Sequence, residues 1–242
     1  MRREQVELDQ GTLIAYGHYG RPVLVFPSEQ GRAWDFENNG MIDAVADLIG
    51  AGRVKIYCVD SGDSWTWSDR SVSIEDRARR HVDYESWVRS RVVGWISDDC
   101  AGELDIITLG CSLGAYHAVN FALKHAHVFP LAMGFSGNYD PSTWHAWGEE
   151  GDATYFNNPM AYVANLSGGH LDWLRERLTL LLVVGQGAFE VSPTGALPST
   201  QRFADLLASK GIRHELDVWG PDVPHEWSAW RDQLRHHLPR FC

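Results

Sequence analysis

Short apolar runs of strand length recur along the chain: TLIAY (12–16), PVLVF (22–26), VKIYCV (54–59), LDIITL (104–109), LAMGFS (131–136), LTLLLVV (178–184) and HELDVW (214–219). Several are apolar throughout rather than alternating, as expected of strands buried on both faces in a parallel sheet covered by helices. Between them the period changes to that of a helix. Met41, Ile42, Val45, Ala46 and Ile49 form one stripe, closed by Gly50 and Gly52. Tyr84, Trp87, Val88, Trp95 and Ile96 form a second over 75–96, where Glu75 with Arg79 and Glu85 with Arg89 stand as i, i+4 pairs on a polar side. Further helices are expected over 113–126, 200–210 and 226–238. This alternation predicts an α/β fold with a mostly parallel central sheet and helices on both faces, opened by an antiparallel hairpin over 12–26.

One region breaks the rhythm. Residues 137–175 are rich in turn-forming and aromatic letters and intervene between two strands, so they read as a lid or pocket-wall insertion in a single domain of 242 residues. A formal net charge of −11 disfavours nucleic acid and anionic membranes as partners, because both repel an acidic surface. The start, MRREQVELDQGTLIAYG, lacks the apolar segment of a secretory signal, and no window is long and apolar enough to span a bilayer. A cytoplasmic location is the expectation. Cys58, Cys100, Cys111 and Cys242 have neither C-x-x-C spacing nor histidines at ligand spacing and read as reduced thiols, so no metal and no cofactor are expected. The oligomeric state is left open, a homo-oligomer included.

The chemistry concentrates at ITLGCSLGAYHA (107–118). A G-x-S-x-G pentapeptide at a strand-to-helix turn is the pattern of a nucleophile elbow, with Ser112 exposed and Gly110 and Gly114 permitting the reversal. The alternative reading of Ser112 is an ordinary helix cap. The N–H of Leu113 is a candidate oxyanion donor, and a second is expected from the backbone of Ser28 or Glu29 in FPSEQGRAW. A serine nucleophile needs a base, and His225, in GPDVPHEW between the last strand and the last helix, fits the chain order Ser, acid, His. The acid is expected after the strand 178–184, where Glu190 is the carboxylate of GQGAFEVSP; Asp217 and Asp222 are the alternatives. His117, His125, His127, His236 and His237 read as solvated or capping residues, and His170 as a candidate pocket residue. Trp65, Trp67 and Tyr139, on loops at strand C-terminal ends, are candidates to line a substrate site. Cys111 is adjacent to Ser112, but the elbow turns it inward.

LGCSLGAYHA, DRARRHVDYESWV, YFNNPMAYV and RHELDVWGPDVPHEWSAWRDQL, in this order along nearly the whole chain, resemble the bacterial putative esterase family of the esterase D-like branch of α/β-hydrolases. The resemblance implies a serine carboxylic ester hydrolase without a bound cofactor, acting on a small-molecule ester through an acyl-enzyme, with Ser112 as nucleophile and His225 as base. Feruloyl esterases, S-formylglutathione hydrolases, siderophore esterases and mycolyltransferases belong to the wider group. Two departures stand out. Ala188 and Phe189 precede Glu190 where an aspartate would be expected, and Ser28, Glu29 and Gln30 replace a small, glycine-rich loop. An acyltransferase using the same site and a non-catalytic binding member of the fold are the competing readings.

Overall fold

The computed structural model describes residues 1–102, 105–144 and 150–242. Its strands are β1 (Arg3–Leu8), β2 (Gly11–Tyr16), β3 (Arg21–Phe26), β4 (Val54–Val59), β5 (Ile107–Cys111), β6 (Leu131–Phe135), β7 (Thr179–Val184) and β8 (Arg213–Val218). They form one sheet in the order β1-β2-β4-β3-β5-β6-β7-β8. From β4 through β8 every neighbouring pair is parallel, while β1 with β2 and β2 with β4 are antiparallel. The start of the expected strand 104–109 falls on Leu104, which lies outside the described residues.

The expected hairpin over 12–26 is corrected by this order. β2 and β3 are separated by β4, and the hairpin is β1 with β2, turning at Asp9 and Gln10. β1 went unread because it is an edge strand, REQVEL, whose residues alternate between exposed and half-exposed positions. Burial on both faces makes a strand apolar throughout, and an edge has no such requirement.

The helices are α1 (Asp35–Asn38), α2 (Met41–Ala44), α3 (Ala46–Gly50), α4 (Ile74–Trp87), α5 (Val93–Asp99), α6 (Leu113–Lys124), α7 (Asp152–Phe156), α8 (Pro159–Asn165), α9 (Gly168–Arg177), α10 (Ala196–Lys210) and α11 (Trp227–His237). They divide between the two faces of the sheet. Phe36, Met41, Ile49, Trp230 and Leu234 of α1–α3 and α11 pack with Val23, Val25, Ile56 and Leu181 on one face. Leu24, Phe26, Tyr57 and Leu180 face the other way, against α4–α6 and α8–α10. Ser73 caps α4 by accepting the N–H of Asp76 at 3.1 Å. The helix expected over 75–96 is interrupted by a π-helical segment, Val88–Val92, between α4 and α5.

Glu75 meets Arg79 as expected, at 3.5 Å. Glu85 does not meet Arg89. It is buried against α6, where its carboxylate holds Lys124 and the Nε2 of His125. A charged residue on a helix face that packs inward needs such partners. Residues 137–175 hold α7, α8 and part of α9, with 145–149 outside the described residues. Among the described residues no helix is long and apolar enough to cross a membrane.

Candidate active site

Ser112 stands between β5 and α6 with φ 57° and ψ −123°, a backbone conformation that a residue with a side chain rarely adopts. Two close approaches impose it. A Cβ on Gly110 would lie 2.0 Å from the carbonyl oxygen of Gly114, and one on Gly114 would lie 2.3 Å from the carbonyl oxygens of Phe26 and Pro27. The helix therefore rises tightly off the sheet, and the Ser112 N–H donates to the Phe135 carbonyl at 2.9 Å, fixing the turn to β6. Cys111 has no exposed surface, and burial pushes its thiol pKa up, which opposes formation of the reactive thiolate.

Ser112 Oγ lies 2.9 Å from His225 Nε2, and His225 Nδ1 lies 3.1 Å from Glu190 Oε2. A carboxylate can only accept, so Nδ1 carries the proton and Nε2 is left to accept from the serine hydroxyl. Glu190 is closed off from solvent, and its second oxygen, Oε1, accepts from Ser136 Oγ at 2.5 Å and from the Gly185 N–H at 3.2 Å. Ser136 Oγ accepts in turn from Trp230 Nε1 at 3.0 Å, and the Trp230 ring meets the His225 ring edge-on, 5.1 Å between centroids. The loops after β7 and β8 press together to achieve this. Gly187 N–H donates to the Val223 carbonyl and His225 N–H to the Ala188 carbonyl, both at 2.9 Å. A Cβ on Gly185 would strike the Val223 carbonyl at 2.1 Å.

The structure thus brings Ser112, His225 and Glu190 together and leaves the other candidates apart. Asp222 is exposed, and Asp217 Oδ2 is engaged by Trp219 Nε1 and His237 Nε2 at 2.8 and 3.0 Å. His170 is exposed and stacks on Trp173. His127 and His236 are exposed, whereas the expectation of solvated rings fails for three others. His117, His125 and His237 are buried, each against a carboxylate: Asp63, Glu85 and Asp217.

A cavity of about 360 Å³ opens at Ser112 and His225. Trp67, Trp144, Leu113 and Pro193 give it apolar surface; Asn138, Thr143 and Thr194 add polar groups, and Glu29 and Arg70 charged ones. Of the three aromatic candidates, Trp67 lines this cavity and the other two are corrections. Trp65 packs edge-on against Tyr84 and lines a separate surface groove with Asp9, Asp83 and Ser86. Tyr139 is fully buried, with its ring 4.8 Å from that of Phe203. Sequence reading missed Trp144 and Ser136. A tryptophan letter announces bulk without announcing which side of a loop it takes, but Ser136, ending a central strand beside the elbow strand, stood where a polar residue had reason to serve the site.

Among the described residues the N–H groups of Ser28, Glu29 and Leu113 donate no hydrogen bond. Among the described residues, Gln30, Ser112, Ser136 and Phe189 account for four of the five non-glycine residues with positive φ, the fifth being Ala101. All four flank this site, and strain of this kind persists only where surrounding contacts enforce it. Elsewhere, Asp217, His236 and His237 bring possible ligand atoms within 4.8 Å of one another. There, however, Arg240 Nη1 donates to His237 Nδ1 at 2.9 Å, which commits the ring to hold its proton on Nε2, toward Asp217.

The model of a family described as "Putative esterase" matches residues 25–241. No curated protein matches the chain. Among solved structures, a ferulic acid esterase superposes with a TM-score of 0.72 at 13% identity, over 99% of this chain and 96% of that one. An S-formylglutathione hydrolase from Agrobacterium tumefaciens gives 0.68 at 14% identity over 99% and 98%, and one from Staphylococcus aureus 0.69 at 11% over 99% and 94%. At such identities the likeness is one of fold, the α/β-hydrolase fold.

Proposed function

This chain belongs to the putative esterase family, and we infer that it cleaves small or medium carboxylic esters through an acyl-enzyme formed on Ser112. The observation that carries the reading is the chain of contacts from Ser112 Oγ to His225 Nε2, 2.9 Å, and from His225 Nδ1 to Glu190, 3.1 Å. As the Ser112 oxygen attacks the ester carbon, its proton passes to His225 Nε2, and the imidazolium that forms is stabilised by the Glu190 carboxylate. The carbonyl oxygen gains charge as the tetrahedral intermediate forms. The free N–H of Leu113, at the positive end of α6, and that of Ser28 or Glu29 are the donors for it. His225 then gives its proton to the leaving alcohol, and in the second half water attacks the acyl group with His225 again as base.

The cavity volume of about 360 Å³ suits an acyl or alcohol portion of modest size, and the indoles of Trp67 and Trp144 favour an apolar one. The four free cysteines support a reducing, cytoplasmic setting. The test is to treat the protein with a fluorophosphonate and locate the adduct by mass spectrometry, with hydrolysis of 4-nitrophenyl esters of increasing chain length alongside. Stoichiometric modification of Ser112, lost in His225→Ala, together with turnover that Ser112→Ala abolishes, is expected. A folded protein that neither labels nor turns over any ester would instead be a binding member of the fold.

A further inference from the structure

Three segments of chain meet behind the oxyanion donors, and a single side chain joins them. Asp63, on the loop after β4, has no exposed surface, and its two carboxylate oxygens serve different elements. Oδ1 accepts from His117 Nε2 at 2.8 Å, and Oδ2 accepts the backbone N–H of Gln30 at 3.1 Å. His117 belongs to α6, the helix that begins with Leu113. Gln30 directly follows Ser28 and Glu29. A second contact comes from the same loop: Ser68 Oγ donates to Glu29 Oε1 at 2.6 Å, while the Ser68 N–H donates to the Asp63 carbonyl at 2.8 Å and folds the loop on itself.

Gln30 has φ 56°, a left-handed conformation that its side chain disfavours. Released from Asp63, it would relax toward ordinary backbone angles, and the peptide planes of Ser28 and Glu29 would rotate with it. A carboxylate is suited to hold both sides, since it offers two acceptor oxygens and binds each donor more firmly than a neutral group would. His117 answers the buried charge. It is itself fully buried with Nε2 committed to Asp63, so it touches no substrate and cannot replace His225.

We propose that Asp63 is a positioning residue for ester cleavage, locking the Ser28–Glu29 backbone and the first turn of α6 into one rigid frame so that their N–H groups converge on a single oxygen. The proposal rests on the ester-hydrolase reading above. The measurement is the acylation rate with 4-nitrophenyl acetate, expressed per active site titrated by fluorophosphonate, with the affinity for an alkyl boronic acid as a mimic of the tetrahedral state.

Asp63→Asn is expected to lower the rate per titrated site about 10- to 100-fold, the range set by misplacement of catalytic groups by an ångström or less. Boronic acid affinity should fall in parallel, while KM stays within about threefold because ground-state contacts persist. His117→Gln keeps an N–H for Asp63 and should restore most of the rate that His117→Leu loses. A purely structural role would lower the fraction of titratable protein and leave the rate per site, the boronic acid affinity and the His117→Gln rescue unmoved; that result overturns the proposal. Should Asp63→Asn fail to fold, Ser68→Ala at its exposed contact decides, with a rate per site about three- to tenfold lower expected and an unchanged one fatal. Wild-type protein that does not label at Ser112 would overturn the ester-hydrolase reading and this proposal together, whereas normal labelling with a normal Asp63→Asn rate defeats this proposal alone.

Discussion

Glu190 is buried with both oxygens engaged, one by His225 and the other by Ser136 and the Gly185 N–H. Glu190→Gln keeps the shape but removes the charge and lets the imidazole take the wrong tautomer, so kcat is expected to fall roughly 10³- to 10⁴-fold with KM little changed. Ser136→Ala is a milder test of the same carboxylate. It removes one hydrogen bond to a charged group and should lower kcat about tenfold. Because it also strips Trp230 Nε1 of its acceptor, the variant should lose about 1–3 kcal/mol in denaturant melts. Chain order and local context single out Ser112 and His225 in the sequence, whereas they leave Asp217 and Asp222 open beside Glu190 until the structure shows which carboxylate lies against His225. Ser136 was hidden because its role depends on which strand lies next to β5, a fact of sheet order. Tyr139 misled for a related reason. Its hydroxyl lies over Gly134, where a Cβ would come within 2.3 Å of it, and the missing side chain draws the ring inward, away from the cavity.

The join of β5 to α6 is held by steric fit as well as by the Ser112 N–H bond to the Phe135 carbonyl. Gly114→Ala would set a methyl group 2.3 Å from two backbone carbonyl oxygens, and backbone cannot step aside as a side chain can. The helix must lift, so a loss of about 3 kcal/mol or more in stability is expected, with fluorophosphonate labelling reduced in the fraction that stays folded. Unaltered stability and labelling would mean that the elbow tolerates a looser seat than its geometry implies. Elements were legible where burial left an unmistakable composition: β4, β5 and β6 are buried at every position and apolar nearly throughout. Edge strands carry no such mark, which is why β1 was missed and the hairpin misplaced. The polar side assigned to the helix 75–96 failed at Glu85 because helical period alone does not reveal that Lys124, ending α6, and His125, just past it, stand opposite.

Acid stability draws on groups across the whole molecule, and its steps can be ordered. His81, on α4, is fully buried against α6, stacked on His117 and ringed by Trp67, Tyr84, Tyr116 and Phe121. Burial first, and the neighbouring His117 and Lys124 second, hold its pKa well below the ordinary histidine value. Its folded form thus refuses a proton that the unfolded chain accepts below about pH 6.5, so the stability it contributes is full above that pH and is lost as the pH falls. His237, also shifted down chiefly by burial, acts in the same sense. Glu85 and Asp99 are held below their usual values by their basic partners, against the opposing pull of burial, so their contributions survive to lower pH and disappear only below about pH 4.5. Two acid effects are therefore expected, a histidine loss that begins as the pH falls through about 6.5 and a carboxylate loss that adds to it below about pH 4.5. His81→Phe separates them. Neither ring nitrogen of His81 has a hydrogen-bond partner, so an apolar ring of similar shape sacrifices no polar contact at pH 7. Below pH 6.5 the variant should gain on the wild type by up to about 1.4 kcal/mol per pH unit, the value of one proton, while its carboxylate step stays in place. Urea melts of both proteins from pH 7.5 to 4 would measure this, and parallel stability curves would show that the ring does not stay neutral in the folded state.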